Sequence, residues 1–472
     1  MTALVQASVP LALRDVLDDD LPGDQLPAVA AALPGAAGRQ LMDDLSRVEC
    51  PGLTARRKRR EEVSGASHDP IVWARARGAN VVDADGNRYV DLTGGFGVAL
   101  LGHRHPAVVA ALHRQVDTLL HALGDVHPST QKIALERRLA ELAPWPARVI
   151  LGQSGADAVE AALKTAALVT GRPGVLAFEG GYHGLSYGAV AVCGYKPAFR
   201  APFAGQLNPR VVFAPFPSPR DPTPTATEAR LAESLAAVDA ALARGDIGAV
   251  LVEPILGRGG VEPAPAGFLA ALGERARVAG AVLIADEIYT GLGRTGRMFR
   301  SVAQGCTPDV LVLGKALGAG LPVSACLVRD DLAQAWGAPD QEAIHTATHL
   351  GNPLACAAAL ASLDVLTEPD TVARIRATGQ ALEAALNGAL HDHRLGVPRR
   401  TYAGLLVGLT LDGGVGRTLA VVRALLEDGY LALPGGVAGD VLTLTPPSCL
   451  TPLQMDGFAE ALVRALRRHP VR

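Results

Sequence analysis

The stretch Asp309-Val310-Leu311-Val312-Leu313-Gly314-Lys315-Ala316-Leu317-Gly318-Ala319-Gly320-Leu321-Pro322 decides how the whole chain reads. Four consecutive apolar residues, Val310 to Leu313, run into Gly-x-Gly-x-Pro turn signals. That pattern suits an inner strand of a parallel sheet, because a surface strand would alternate polar and apolar side chains. Lys315 then stands at the strand's carboxyl end, where ligands collect in open α/β sheets. Lysine otherwise occurs only at Lys58, Lys132, Lys164 and Lys196, so an amine among apolar residues calls for a reason. Desolvation lowers a lysine pKa by roughly 3 to 5 units from about 10.4, which leaves a neutral, nucleophilic amine. A lysine that snorkels its head into solvent is the alternative at this point.

Upstream, two further apolar strands end in carboxylates: Ala249 to Val252 leads to Glu253-Pro254, and Ala281 to Ala285 leads to Asp286-Glu287-Ile288-Tyr289. A helical stretch from Ala264 to Ala279 lies between them, giving the strand, crossover helix, strand order of a parallel sheet. Asp286 is read as functional and Glu287 as structural, paired to an arginine. Gly291-Leu292-Gly293-Arg294-Thr295-Gly296 fits the dinucleotide fingerprint Gly-x-Gly-x-x-Gly. The fingerprint is rejected, because two carboxylates would sit beside the pyrophosphate and Arg297 to Pro308 does not read as a long helix.

Further back, Arg148 to Leu151 reads as a strand, Gly152 to Ala156 as a turn and Asp157 to Val169 as a helix. The free backbone amides of Ser154, Gly155 and Ala156 then face the positive end of the helix dipole, which makes a phosphate site; a plain N-cap by Ser154 is the alternative. Val175 to Phe178 is another strand, ending in Glu179-Gly180-Gly181-Tyr182-His183-Gly184. Glycines there hold a ring and an imidazole at a strand end. Tyr182 can stack on a flat ligand or simply pack on the core.

The N-terminal third is less chemical. Pro10, Pro22, Pro27 and Pro34 interrupt the first 48 residues, leaving an extension of uncertain order with one short amphipathic helix over Gln40 to Val48. Ile71 to Trp73, Asn80 to Asp83 and Arg88 to Leu92 read as strands, with Asp85-Gly86-Asn87 as a hairpin turn. Thr93 to Val98 is a glycine-rich turn exposing Phe96, and a helix follows from Ala107 to Leu123. A metal reading of His103 and His105 is set aside because no Cys, Asp or Glu lies nearby in sequence to complete a ligand set.

A chain of 472 residues with 49% hydrophobic and 19% charged residues can bury a large core in about two subdomains. Net charge is -3 and basic residues are dispersed, so neither a nucleic acid nor an anionic membrane is expected as partner. The run Arg56 to Arg60 reads as a solvated patch neutralised by Glu61 and Glu62. Cys50, Cys193, Cys306, Cys326, Cys356 and Cys449 show no paired spacing, which suits a reducing compartment. There is no apolar run of transmembrane length, and Asp18 to Asp20 stand where a signal or transit peptide would avoid acids. The expected location is the cytoplasm.

Phosphate nest, stacking ring, acid and amine share one ligand, pyridoxal 5'-phosphate. Asp286 against the pyridine nitrogen keeps it protonated. At about 4 Å and an effective dielectric near 20 the attraction is roughly 4 kcal/mol before desolvation costs, or about 3 pKa units. The ring then serves as an electron sink. Lys315 would hold the aldehyde as a Schiff base, release it to an incoming amine and shuttle the proton.

The motifs Gly102-His103 through Pro106, Ser154 to Glu160, Tyr182-His183-Gly184, Glu253-Pro254, Asp286-Glu287-Ile288, Thr290-Gly291, Gly293 to Gly296, Pro308 through Lys315 and Gly351-Asn352-Pro353 together resemble the class III (ornithine and 4-aminobutyrate type) aminotransferases of fold type I, from about Ile71 to Pro452. The resemblance implies an α/β fold: a large domain with a mostly parallel sheet flanked by helices, plus a small α+β domain from both chain ends. Its divisions are an extension over 1–60, a first part of the small domain over 61–106, the large domain over 107–363 and the rest of the small domain over 364–472. It also implies a homodimer with the site at the interface, Ile288 on the cofactor face opposite Tyr182, and Thr348 reaching the neighbouring subunit's phosphate.

This chain departs from the family at three places. Tyr289 stands where a glutamine usually contacts the cofactor's phenolic oxygen, and can offer a hydroxyl. Arg258 and Thr443 stand where many members have a glutamate and an arginine that form a switchable pair, which lets the arginine grip the substrate's α-carboxylate. Arg258 is therefore expected to take over carboxylate binding, with Phe96 lining the substrate side. The expected reaction is transamination from an amino acid or ω-amino donor to a 2-oxo acid. Racemisation or decarboxylation on the same fold is the alternative, and a non-catalytic cofactor-binding protein a third reading.

Overall fold

A computed structural model describes residues 21–65, 69–218, 223–337 and 342–471; Pro10 and Asp18 to Asp20 lie outside the described residues. Trp73–Arg77 (β1), Asn80–Asp83 (β2) and Arg88–Asp91 (β3) form an antiparallel meander. β1 begins only at Trp73, so Ile71 and Val72 are not in the strand. The next strands are Ala147–Gly152 (β4), Gly174–Phe178 (β5), Val211–Ala214 (β6) and Ile247–Val252 (β7). A tight hairpin of Ile255–Leu256 (β8) and Glu262–Pro263 (β9) follows. Then come Val282–Asp286 (β10), Val310–Leu313 (β11) and Ser324–Arg329 (β12).

Seven of these strands make one sheet in the order β4-β12-β11-β10-β7-β5-β6. Every residue of β5, β7, β10 and β11 is buried, as expected for strands covered on both faces. The strand before Lys315 is thus an inner one, as its unbroken apolar run requires. It pairs in parallel with β10 and antiparallel with β12. One face of the sheet packs on the helix Gly155–Thr170 through Ala158, Val159 and Ala162; the other packs on Phe268–Ala279 through Phe268, Leu269 and Leu272 under β5, β7 and β10, while Leu311 and Leu313 of β11 join a core with Leu135, Leu139 and Leu363. β12 is antiparallel to both neighbours, so β4, β5, β7, β10 and β11 all deliver their carboxyl ends to one edge.

Arg399–Ala403 (β13), Leu406–Thr410 (β14), Tyr430–Leu431 (β15), Leu433–Gly435 (β16) and Val441–Leu444 (β17) complete the strands. β15 pairs in parallel with β3, and Val90 and Leu92 share a core with Leu442, Leu444, Phe458 and Leu462. The chain's two ends therefore build one hydrophobic body. Arg399 clamps Glu262 with two hydrogen bonds at 2.5 and 2.6 Å, tying β13 to β9.

Three helices differ from expectation. The N-terminal one spans Ala36–Val48, earlier than Gln40, because Asp85 accepts the amides of Ala37 and Gly38 and so serves its free N-terminus. The helix expected to reach Leu123 is Pro106–Val116; the Gln115 side chain takes the Leu119 carbonyl and turns the chain away. The third starts at Phe268 rather than Ala264, after Gly267 in the left-handed region. The basic run lies on the helix Pro51–Ser64. Cys193, Cys306, Cys326 and Cys356 are buried, while Cys50 and Cys449 are exposed. Among the described residues no helix is long and apolar enough to cross a membrane.

Candidate active site

Two adjacent strands end in opposite charges. Asp286 closes β10 and pairs in register with Val312 of β11, three residues before Lys315. Lys315 takes a left-handed φ of 45°, a region that costs a non-glycine residue energy and so marks a functional constraint. Burial pulls its amine down to about 8, against the charges of Asp286 and Glu253 and with those of Arg258 and Arg294. Roughly a tenth of the amine is then neutral near pH 7.

The Asp286 carboxylate is fixed on both oxygens. His183 Nδ1 lies 2.7 Å from Oδ2 and the Ile288 amide donates to Oδ1 at 3.1 Å. Burial disfavours the His183 imidazolium, but its hydrogen bond to Asp286 and the charges of Asp286 and Glu253 outweigh that and raise its pKa. His183 thus belongs to the acid's support, on the far side from the lysine's strand. Glu253, absent from the expected set, is buried beside these groups. Its Oε1 accepts the Tyr182 amide at 2.8 Å and its Oε2 the Gly257 amide at 3.1 Å, so one carboxylate joins two loops of the site. The signal in sequence was only its place at a strand end. Glu287 corrects the expected arginine pair: it is held by the Thr290 hydroxyl at 2.5 Å and by the Ser301 amide and hydroxyl at 2.6 and 2.7 Å.

Ser154 caps the helix Gly155–Thr170, its hydroxyl accepting the Asp157 amide at 3.2 Å. The amides of Gly155 and Ala156 carry no hydrogen bond among the described residues. Ile288 lies against them: a Cβ on Gly155 would meet its Cδ1 at 2.9 Å, and one on Gly314 its Cγ2 at 3.4 Å. Ile288 therefore spans from the helix N-terminus to the residue before Lys315. Two free amides at a 16-residue helix N-terminus, an anchored acid, a desolvated amine and an apolar wall fit a phosphorylated pyridine aldehyde group by group.

Tyr182 is half-buried, edge-on to Tyr195 and Phe199 at 6.2 and 6.3 Å. The Arg258 guanidinium, in the β8–β9 turn, lies 4.6 Å from its ring centroid. Thr443 sits on β17 with its hydroxyl buried and unpartnered among the described residues. The Tyr289 hydroxyl reaches Thr445 Oγ1 at 3.5 Å, while Lys315 Nζ lies 4.0 Å from the ring centroid. The lysine meets the ring face and not the hydroxyl.

Phe96 is 66% exposed with a φ of 61°, on a turn shaped by Asp91, whose Oδ1 accepts from the amides of Thr93 and Gly94. The other oxygen lies 2.9 Å from His103 Nε2. An acid does stand beside that histidine, contrary to the sequence reading, although no metal-holding group of three occurs among the described residues. Gly291 to Gly296 folds back through Leu292 to Met298 and Gly293 to Arg297 amide-to-carbonyl bonds, and only the four-residue helix Arg300–Ala303 follows. This is no dinucleotide turn. It buries Arg294, whose guanidinium donates to the carbonyls of Gly97, Leu405 and Pro446 at 3.0, 3.2 and 2.6 Å. Thr348 is exposed on a loop held to the connection that follows the helix Pro106–Val116 by Thr346–Asp125 and Asn352–Leu120 hydrogen bonds.

The sequence profile described as "Aminotransferase class-III" matches residues 63–466. An acetylornithine aminotransferase of Mycobacterium tuberculosis (strain ATCC 25618 / H37Rv) is 38% identical over 406 residues, covering 84% of this chain and 92% of that protein. An adenosylmethionine-8-amino-7-oxononanoate aminotransferase of Synechococcus elongatus is 35% identical over 415 residues, covering 84% and 95%. Among solved structures, an amine transaminase from an uncultivated Pseudomonas species in its PLP-bound form aligns with a TM-score of 0.78 at 30% identity, covering 85% of this chain and 95% of that one. The ornithine aminotransferase of Toxoplasma gondii ME49 aligns with a TM-score of 0.78 at 26% identity, covering 96% and 97%.

Proposed function

This chain belongs to the class-III aminotransferases, is a pyridoxal 5'-phosphate-dependent transaminase of fold type I, and we propose that Lys315 and Asp286 are its catalytic pair. It moves an amino group from an amino acid or ω-amino donor to a 2-oxo acid. None of the relatives named above supports racemisation or decarboxylation.

The observation that carries the assignment is the placement of Lys315 and Asp286 at the ends of neighbouring parallel strands, the amine lowered by burial and the acid anchored on both oxygens. When bound, the cofactor supplies an aldehyde for amine exchange and a ring that withdraws electrons. Lys315 Nζ holds the cofactor covalently at rest, and as a free amine takes and returns the proton at the reacting carbon. Asp286, oriented by His183, keeps a proton on the ring nitrogen. The Ser154, Gly155 and Ala156 turn binds the phosphate, and Ile288 and Tyr182 flank the ring. Arg258, braced on Tyr182, binds a substrate carboxylate while Phe96 lines the approach. Its stack on three aromatic rings, at 4.6, 5.4 and 6.0 Å, supports a guanidinium held ready for an anion.

The same reading makes the chain a homodimer with Thr348 completing the partner's phosphate site. Exposed Leu119, Leu120, Leu123 and Val126, near the loop that carries Thr348, support an apolar interface there. It divides the chain into an extension (1–60), a first part of the small domain (61–106), the large domain (107–363) and the rest of the small domain (364–472); the core shared by both chain ends supports that division. The free, dispersed cysteines support a cytoplasmic setting.

The test is the visible spectrum of the purified holoenzyme before and after single amino donors without acceptor. A stable, stoichiometric loss of the resting band with one donor class is expected. A band that shifts and returns while the donor loses its chirality or carboxyl group would overturn the assignment.

A further inference from the structure

Tyr289 is gripped on both edges by glycines from separate segments. A Cβ on Gly257 would lie 2.0 Å from its Cδ1, and one on Gly97 would lie 2.4 Å from its Cε2. Its hydroxyl is turned to Thr445, which itself donates to the Thr93 carbonyl at 2.7 Å. The ring thus has no freedom to swing, and its face is presented to Lys315, whose Nζ lies 4.0 Å from the centroid. Among the described residues no oxygen accepts a hydrogen bond from that amine.

We propose that Tyr289 is a positioning residue whose ring face, and not its hydroxyl, holds the free Lys315 amine in place and favours its protonated form. A cation within about 6 Å of an aromatic centroid is attracted by the ring's quadrupole, the more so when desolvated. Other charges also face this amine: Asp286 at the end of β10 and Glu253 at the end of β7 favour the ammonium, and Arg258 and Arg294 disfavour it. All four act on it through space, whereas the ring is in contact. A tyrosine in this seat therefore does through its face what a hydrogen-bond acceptor would otherwise do. Phenylalanine satisfies the same requirement, and a residue without a ring does not.

The inference rests on Lys315 being the reacting amine, and the test separates the two claims. Borohydride reduction of the resting holoenzyme, followed by peptide mass spectrometry, must place the cofactor on Lys315; its attachment elsewhere overturns both. Holoenzyme loaded with pyridoxamine phosphate, which leaves the lysine free, is then pulsed with acetic anhydride across a pH series, with acetylation of Lys315 read against the exposed Lys58. The midpoint for Tyr289→Phe should coincide with the parent's. Tyr289→Leu should bring it down by about 0.5 to 1 pH unit, the size of a partly desolvated cation–ring contact. Tyr289→Met, which fills much of the space with neither a ring nor an acceptor oxygen, should move it as far and serves if the leucine variant does not fold. Ringless variants that titrate with the parent, or a phenylalanine variant that shifts as far as they do, overturn the inference.

Discussion

His183 Nδ1 and Asp286 Oδ2 lie 2.7 Å apart and both side chains are buried, so the imidazole fixes the plane of the one carboxylate at the end of β10. With the Ile288 amide on the other oxygen, the carboxylate is held against rotation. Replacing Asp286 with Asn removes the charge and keeps the shape. At about 4 Å and an effective dielectric near 20 the lost attraction is roughly 4 kcal/mol, or about a thousandfold in rate. His183→Ala should cost less, about tenfold, since it loosens the acid without removing it. Stopped-flow rates of the donor half-reaction decide this. An Asp286→Asn rate within a few fold of the parent's would refute the role given to that carboxylate.

Glu253 gives a pH-dependent prediction. Burial raises its carboxyl to about 7, with the His183 charge opposing and the Asp286 charge adding to the rise. In the unfolded chain it titrates near its ordinary value of 4.5. Between those values the native protein holds a proton that the unfolded chain has lost, so this group's contribution to stability falls as pH rises through the window. Glu253→Gln cannot ionise and escapes that decline, although one of its two amide partners loses an acceptor. Thermal midpoints of parent and variant measured from about pH 5 to pH 8 should therefore shift in the variant's favour with rising pH. A gap that stays constant would refute the raised carboxyl.

The strand ends were legible because each is a local signal: an unbroken apolar run followed by one polar residue, as at Val310 to Lys315 and Ala281 to Asp286. The turn at Ser154 was legible for the same reason. What escaped joins distant segments. Glu253 meets Tyr182 across 71 residues, and Arg294 meets Gly97 and Pro446 across 197 and 152. No periodicity reports such contacts. Tyr289 shows the limit most clearly: its identity and position were plain, but the direction of its hydroxyl depends on two glycines and on Thr445. The helix Pro106–Val116 is shorter than its sequence pattern because a side chain ends it, Gln115 taking a carbonyl that further turns would have used.

Arg258 has no carboxylate partner among the described ion pairs and stacks on Tyr182 instead. A guanidinium bond to a carboxylate contributes about 1.5 to 3 kcal/mol. Arg258→Ala should thus raise KM for carboxylate-bearing donors by about tenfold to a hundredfold, with little change for simple amines. Steady-state kinetics on a matched acid and amine donor pair tests this. Equal effects on both donors would make Arg258 a support for Tyr182 and no more.

Thr348 provides the test of the subunit arrangement. If it completes the partner's phosphate site, each active site draws Lys315 from one subunit and Thr348 from the other. Lys315→Ala and Thr348→Asp homodimers should then both be inactive, the first for want of the amine and the second because a carboxylate repels the phosphate. In a hybrid of the two, one site collects both lesions and the other collects none. Mixing them at equal concentration through a dissociating step and reassembling should produce half hybrids with half their sites intact, or about a quarter of parent activity. Resting-band absorbance should return in the same proportion. If the mixture stays inactive although native mass spectrometry shows hybrids, Thr348 serves its own subunit's site; an active Thr348→Asp homodimer would show that it serves none.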